Sequence, residues 1–211
     1  MKFRWDASAQ AYEITLGDGR TGRIVPETPS SATGKLVGAD GAIISHARML
    51  ASAPREYTNW VFLPGAVKFA SGYLAFGIPA PSGSVPTSGS ASYSGEVLGA
   101  AKAPGYEYGV SGPALFQFNF GAGTLAGQMD LKLSGPMGEP DLPRYTFSGA
   151  LTSAGATSFS GTFAINGPTP SWIRGQFTGP KAQELMAGLE APFLNWTQWG
   201  TIEAVVVGKR D

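Results

Sequence analysis

The chain offers few residues whose type and spacing could do chemistry, and the first is its single histidine. His46 stands two positions before Arg48, in a segment that we expect to be a loop. A neutral imidazole can ligate haem iron, and a nearby guanidinium can meet a haem propionate. His46 and Arg48 therefore define an alternative, haem-binding hypothesis, although a lone histidine on a loop more often has no special role.

Two further patterns have suitable residues for chemistry in an unsuitable context. Residues 121–126, Gly-Ala-Gly-Thr-Leu-Ala, fit a dinucleotide-binding fingerprint. That motif must begin a helix, whereas the alternation of apolar and polar residues up to Leu133 predicts a strand, so a hairpin turn is the favoured interpretation. Glu139 and Asp141 flank a proline, and in a Pro/Gly-rich loop such a pair is typical of a solvated turn rather than of acid–base catalysis. Because the chain has no cysteine and one histidine, we expect none of the common hydrolase mechanisms and no His-rich or Cys-ligated metal site, and we assign no catalytic residues and no metal site.

Aromatic side chains near turns are the more informative candidates, because Trp and Tyr anchor protein interfaces. Tyr106 and Tyr108 follow a Pro-Gly pair, and Trp196 and Trp199 come just before the final apolar run. We predict that these four side chains are exposed and bind the ligand. The 15 basic residues balance the 15 acidic ones, so we expect no nucleic-acid partner, and no apolar run is long enough to predict a membrane-spanning helix.

The elements that position these residues are predicted to be strands. The chain of 211 residues has 30 Gly and 16 Pro, which argues against a helical protein, while 43% hydrophobic residues suffice for a core. A hairpin opens the chain, residues 26–41 form a long loop with at most one short strand, and a Pro/Ser/Gly linker covers 79–86. We therefore predict a small strand-rich domain over 1–80 and an antiparallel up-and-down β-barrel of about eight strands over 81–211.

Alternating glycine and aromatic residues carry the barrel prediction. Phe147 precedes Gly149 by two positions and Phe159 precedes Gly161 by two, and glycine at bends shielded by aromatics is what a closing barrel needs. We expect Phe, Leu and Gly to fill the interior, so that it is a plug and not a pore. One short helix is predicted near 180–188, from Pro near its start and Gly at its end, and the continuous apolar run 201–207 predicts a last strand covered on both sides.

Several glycine-rich strands resemble a known family. Residues 89–95, 147–151, 159–163 and, above all, 175–185 resemble the β-barrel lobes of transferrin-binding protein B and its relatives. That family has a Gly-x-Phe/Tyr-x-Gly-Pro-x-Ala-x-Glu signature, which this chain matches with a set of structural residues: Gly175, Phe177, Gly179, Pro180, Ala182 and Glu184. We expect Glu184 to accept hydrogen bonds from free amides at the start of the short helix. The chain departs from the family pattern after Gly188, which leaves the register of the last strand open.

The resemblance implies a single-barrel binding protein with a small handle-like domain ahead of the barrel. Relatives are surface-exposed or secreted proteins of Gram-negative bacteria, usually lipid-anchored in the outer membrane, that hold host transferrin, haemoglobin, haem or complement regulators and serve iron acquisition. We therefore expect a non-enzymatic protein that recognises a protein ligand through barrel-end loops. Haem binding on the same scaffold and a small apolar ligand in a barrel cavity are the alternatives. An export segment and any lipidated cysteine would precede this sequence.

Overall fold

The computed structural model describes most of the chain as β-strand. The described residues are 2–6, 8–9, 11–15, 21–26, 33–38, 43–49, 56–63, 72–135, 142–169 and 171–211, and no helix occurs among them. The chain divides into two compact units, one of Met1–Pro54 with Asn59–Phe76 and one of Arg55–Thr58 with Gly77–Asp211.

The first unit is built on a seven-stranded antiparallel sheet whose strands follow one another in chain order. They are β1 (Lys2–Asp6), β2 (Ala11–Thr15), β3 (Thr21–Pro26), β4 (Thr33–Gly38), β5 (Ile43–Met49), β6 (Thr58–Leu63) and β7 (Gly72–Gly77). The predicted opening hairpin is confirmed, since Tyr12 pairs with Ile24 across β2 and β3. Strand β4 lies within residues 26–41, which the sequence predicts to be a long loop with at most one short strand. The expectation of a loop around His46 is wrong, because this residue lies within β5 and pairs with Lys35.

The second unit is a closed antiparallel barrel. Its strands are β8 (Ser90–Ala103), β9 (Tyr106–Asn119), β10 (Thr124–Met129), β11 (Lys132–Ser134), β12 (Tyr145–Leu151), β13 (Ser158–Phe163), β14 (Trp172–Thr178), β15 (Glu184–Asn195) and β16 (Gln198–Arg210). The sheet order runs from β10 through β12 to β16, then β8 and β9, and β9 pairs again with β10. Eight strands therefore close the ring, and β11 is an extra strand beside β9, as Ser111 pairs with Lys132.

The barrel interior is filled with aromatic rings that lie over glycines, as the Gly-aromatic pattern predicts. Phe118 stacks parallel to Phe116 at 6.4 Å and to Phe120 at 5.9 Å between ring centroids. A Cβ atom on Gly127 would collide with the ring of Phe147 from the neighbouring strand. A large side chain on one strand thus fills the space that a glycine leaves on the next strand, and the interior is a packed plug.

The predicted short helix near 180–188 is wrong, and the backbone explains why. Residues 179–183 form a turn in which Gly179 has φ +80° and Ala182 has φ +52°, both in the left-handed region that a right-handed helix excludes. From Glu184 onward the chain is strand β15, hydrogen-bonded to β14 on one side and to β16 on the other.

Three other expectations about the second unit have clear outcomes. The last strand is covered on both faces, because Val205, Val206 and Val207 are all buried. Residues 79–86, predicted as a linker, pack into the barrel unit, where Ala80 and Val85 belong to its core. The glycine fingerprint at 121–126 is a hairpin turn followed by β10. Glu139 and Asp141 lie outside the described residues.

No helix in the described part of the chain is long and apolar enough to cross a membrane.

Candidate binding site at one end of the barrel

Adjacent hairpins bring aromatic residues together at one end of the barrel. The turn of the β8–β9 hairpin lies at 104–105 and that of the β15–β16 hairpin at 196–197, and β16 pairs with β8 through Thr201 and Lys102. Tyr106 and Trp196 therefore meet across the two hairpins, with ring centroids 6.1 Å apart and planes at 75°. We call this the tryptophan end. The opposite end, which carries the turn at 179–183, is the motif end.

The β15–β16 hairpin exposes an unusual amount of apolar surface. Among the described residues, four large hydrophobic side chains are exposed, and three of them lie on this hairpin: Leu194 at 46%, Trp196 at 55% and Trp199 at 41%. Leu194 and Trp199 are direct cross-strand partners. A contiguous exposed apolar patch of this kind marks an interaction site more often than scattered single side chains do. The predicted exposure of Trp196 and Trp199 is thus confirmed, and Leu194 was missed, although it stands two residues from Trp196.

Trp196 has a backbone conformation that few large residues adopt. It is the first residue of a two-residue hairpin loop and has φ +52°. Hairpin loops with positive φ at this position favour glycine, because a Cβ atom crowds the neighbouring carbonyl. A bulky residue held there carries strain of about 1–2 kcal/mol. The turn therefore presents an indole at a position where the local backbone favours no side chain at all.

Tyr108 is not exposed, contrary to the sequence prediction. It is 2% exposed, and its hydroxyl donates a hydrogen bond to Oδ1 of Asn195 at 3.0 Å. Its ring stacks on Tyr106 at 6.3 Å and meets Phe193 edge-on. The reason is strand alternation, which places Tyr108 on the inner face of β9, in phase with Phe116. Tyr106, nearer the turn, is partly buried.

Backbone contacts and a weak ion pair surround the exposed side chains. A Cβ atom on Gly167, in the loop between β13 and β14, would lie 3.1 Å from Cζ3 of Trp199, so this glycine lets the loop approach the indole. Lys102 Nζ lies 3.9 Å from Oε1 of Glu107, and both side chains are well exposed. An exposed pair at that distance contributes little to stability. The site is therefore mainly apolar and aromatic.

The signature residues lie at the motif end and act as structural parts. Glu184 is 1% exposed, and its two carboxylate oxygens accept hydrogen bonds from the backbone amides of Glu56 at 2.8 Å and Tyr57 at 3.0 Å. The expected role as an acceptor from free amides is therefore found, but the amides belong to residues 56 and 57 and not to a helix start. Such charge-assisted bonds satisfy amides that have no strand partner.

The other signature residues shape the turn that holds these contacts. Gly179 donates its amide to the carbonyl of Ile78 at 2.9 Å, and the Phe177 carbonyl accepts from Ala80 at 3.0 Å. The carbonyl of Ala182 accepts a hydrogen bond from the Tyr93 hydroxyl at 2.7 Å inside the barrel. Of the remaining signature residues, Gly175 lies beneath the Phe159 ring, and Pro180 is exposed in the turn.

The haem hypothesis remains a prediction. The backbone places His46 and Arg48 on β5, where Arg48 pairs with Thr33 and with Phe62. The side chains of His46 and Arg48 lie outside what the structure describes. Within the described part of the chain, no group of three or more His, Asp or Glu side chains is arranged to hold a metal ion.

Solved structures share this architecture at low sequence identity. Transferrin-binding protein B from serogroup B Neisseria meningitidis matches with a TM-score of 0.63 at 17% identity, covering 100% of this chain and 42% of that one. A double mutant of transferrin-binding protein B from Haemophilus parasuis, described as a vaccine antigen, matches with a TM-score of 0.61 at 16% identity, covering 94% of this chain and 40% of that one. An intact transferrin-binding protein B with N and C lobes gives 0.53 at 14% identity, covering 100% and 40%.

No protein-family model and no curated protein sequence matches the chain. The chain spans about two fifths of the length of the solved structures that it resembles. At identities this low the likeness shows the fold alone, and the resemblance predicted from the glycine-rich strands is confirmed at that level: the chain has the β-barrel lobe fold of transferrin-binding protein B.

Proposed function

We propose that this chain is a non-enzymatic binding protein of the transferrin-binding protein B type that recognises a protein ligand at the tryptophan end of its barrel. One observation carries the proposal: Trp196 occupies a backbone conformation that favours glycine and still leaves 55% of its surface in solvent. A side chain that adds strain and leaves more than half of its surface in solvent gains little for folding. A role as an interface anchor explains it, since Trp is enriched among residues that dominate binding energy.

The names of the structural neighbours also support a location at the cell surface. The structural neighbours are named for transferrin binding, and the one from Haemophilus parasuis is described as a vaccine antigen, which suits a protein at a cell surface. We accordingly place this chain at the surface of a Gram-negative cell or outside it. The closely packed aromatic interior favours recognition at the surface over an apolar ligand held in the barrel.

The test compares two substitutions of exposed hydrophobic residues. Immobilised wild-type protein is exposed to purified iron-loaded transferrin and, separately, to whole serum, with retained proteins identified by mass spectrometry. Trp196→Gly removes the indole and relieves the backbone strain, so we expect binding to weaken about 30-fold or more, while the thermal unfolding midpoint stays equal or rises. Losing an anchor worth about 2 kcal/mol gives that ratio.

The matched control is Ile78→Ser, which removes an exposed hydrophobic side chain, 63% exposed, at the motif end. It should leave binding unchanged. Equal retention of the same protein by wild type and Trp196→Gly would contradict the proposal. So would an equal loss in Ile78→Ser, because that result would indicate general stickiness, and so would the absence of any retained protein.

A further inference from the structure

The exposed side chains of the tryptophan end rest on a buried tyrosine that has no part in direct recognition. Tyr108 is 2% exposed, so a partner cannot reach it. Its hydroxyl donates to Oδ1 of Asn195, which is also 2% exposed and immediately precedes Trp196 in the chain. This hydrogen bond fixes the last strand residue before the strained turn.

A second chain of contacts runs from the same tyrosine to the indole itself. The ring of Tyr108 stacks on Tyr106 with an interplanar angle of 13°, and Tyr106 meets the Trp196 ring at 75°. On its other side Tyr108 contacts Phe193, which is 0% exposed within the core. Tyr108 thus links the rigid interior both to the backbone before Trp196 and to the ring of Trp196.

We propose that Tyr108 is a positioning residue for the binding site, a proposal that rests on the function proposed above. It holds the Trp196 indole in one orientation before any partner arrives. A side chain that is ordered in advance loses less conformational entropy on binding, so a fixed anchor binds more tightly than a mobile one with the same contacts. The buried hydroxyl, and not only the aromatic ring, is needed because it ties the Asn195 side chain to the interior.

The test observes the Trp196 side chain in the free protein. Grown with 5-fluorotryptophan, the protein gives one ¹⁹F resonance for each of its five tryptophans, and Trp196→Phe identifies the relevant signal. In Tyr108→Phe we expect the Trp196 resonance to move towards the shift of free 5-fluorotryptophan and to narrow about twofold, because the indole gains motion. The other four resonances should stay in place.

Two further variants sharpen the result. Asn195→Ala removes the acceptor of the same hydrogen bond and should move the Trp196 resonance in the same direction, which provides the test if Tyr108→Phe does not fold. Tyr93→Phe removes an equivalent buried hydroxyl, the donor to Ala182 at the motif end, and should leave the Trp196 resonance unchanged.

The proposal is overturned if the Trp196 resonance is unmoved in the variants that fold, or if Tyr93→Phe moves it equally. Because no partner is present, this outcome is independent of the binding test. Absence of a partner for the wild type would remove the proposed function, whereas an unmoved resonance would remove only the positioning role of Tyr108.

Discussion

At the scale of single residues, Glu184 is a buried acidic group that holds two backbone amides at the motif end. Its carboxylate is almost fully buried and accepts two backbone amides, from Glu56 and Tyr57, that lie about 128 positions earlier in the chain. Burial of a charged group is unfavourable unless its hydrogen bonds are complete. Here both oxygens have a donor, so the pair of bonds fixes residues 56 and 57 against the barrel strand.

We predict that Glu184→Ala lowers the free energy of unfolding by about 3 kcal/mol and that Glu184→Gln lowers it by roughly half as much. The alanine variant leaves two amides without an acceptor, whereas the glutamine amide keeps one acceptor oxygen. Urea denaturation gives the free energies, and hydrogen exchange should show faster exchange at the amides of Glu56 and Tyr57.

Glu203→Ala is the control for that series, because Glu203 is an exposed glutamate on β16, and such surface changes stay within about 0.5 kcal/mol. If amide exchange at residues 56 and 57 is the same in Glu184→Ala as in the wild type, the assigned hydrogen bonds are wrong.

At the scale of strands, the barrel core packs because large side chains on one strand lie opposite glycines on the next. Strand β10 has Gly127 on its inner face, between the buried residues Leu125 and Met129, and the ring of Phe147 from β12 occupies the space above it. The carbonyl of Leu115 on β9 lies 2.5 Å from where a Cβ atom would stand. Neither neighbour can move away easily, since one is a core ring and the other is backbone.

We therefore predict that Gly127→Ala destabilises the barrel by about 2–3 kcal/mol through overpacking. For a protein of this size that corresponds to a fall of roughly 4–12 °C in the thermal unfolding midpoint, measured by circular dichroism. Gly188→Ala is the matched control, because Gly188 also lies within a barrel strand, but its Cβ would meet only the Trp172 ring at 3.9 Å. An unchanged midpoint in Gly127→Ala would show that the core is less tightly packed than these contacts indicate.

The strand scale also shows which local signals mislead. Pro180 and Gly188 resemble the start and end of a helix, but Leu185, Ala187 and Leu189 alternate towards the core, and this period of two continues beyond the window that suggested the helix. Tyr108 could have been placed inside by the same rule, since it is in phase with Phe116. Nearness to a Pro-Gly turn was the weaker signal.

At the scale of the whole chain, closure of the barrel was predictable, and its long-range polar contacts were not. Alternation and glycine spacing are local properties, so they indicate curved, half-buried strands before any partner is known. The bond from Glu184 to residue 56 joins segments more than a hundred residues apart. The exposure of Trp196 depends on a turn conformation that its sequence does not favour. Only the structure therefore shows which of the four aromatic candidates are exposed and which are buried.

Both ends of the barrel contain a buried tyrosine hydroxyl, and this arrangement determines how the fold responds to alkali. Tyr93 donates to the Ala182 carbonyl at the motif end, and Tyr145 donates to the Pro192 carbonyl at the tryptophan end. Burial raises the pKa of Tyr93 to about 12 and raises the pKa of Tyr145 as well. Tyrosine in an unfolded chain ionises near pH 10, so above that pH the folded state holds more protons than the unfolded state.

The contribution of these protons to the free energy of unfolding is therefore fully present below about pH 10. It is lost as the pH rises towards 12, and Tyr93 alone accounts for about 3 kcal/mol of this loss. We predict that urea unfolding shows a steep loss of stability over this range, which is reduced in the Tyr93→Phe, Tyr145→Phe double variant. The double variant starts less stable at pH 8, because two carbonyls lose their donors, so the two stability curves should converge with rising pH. Parallel curves would refute the assignment, as would absorbance at 295 nm showing that all seven tyrosines of the folded protein ionise together near pH 10.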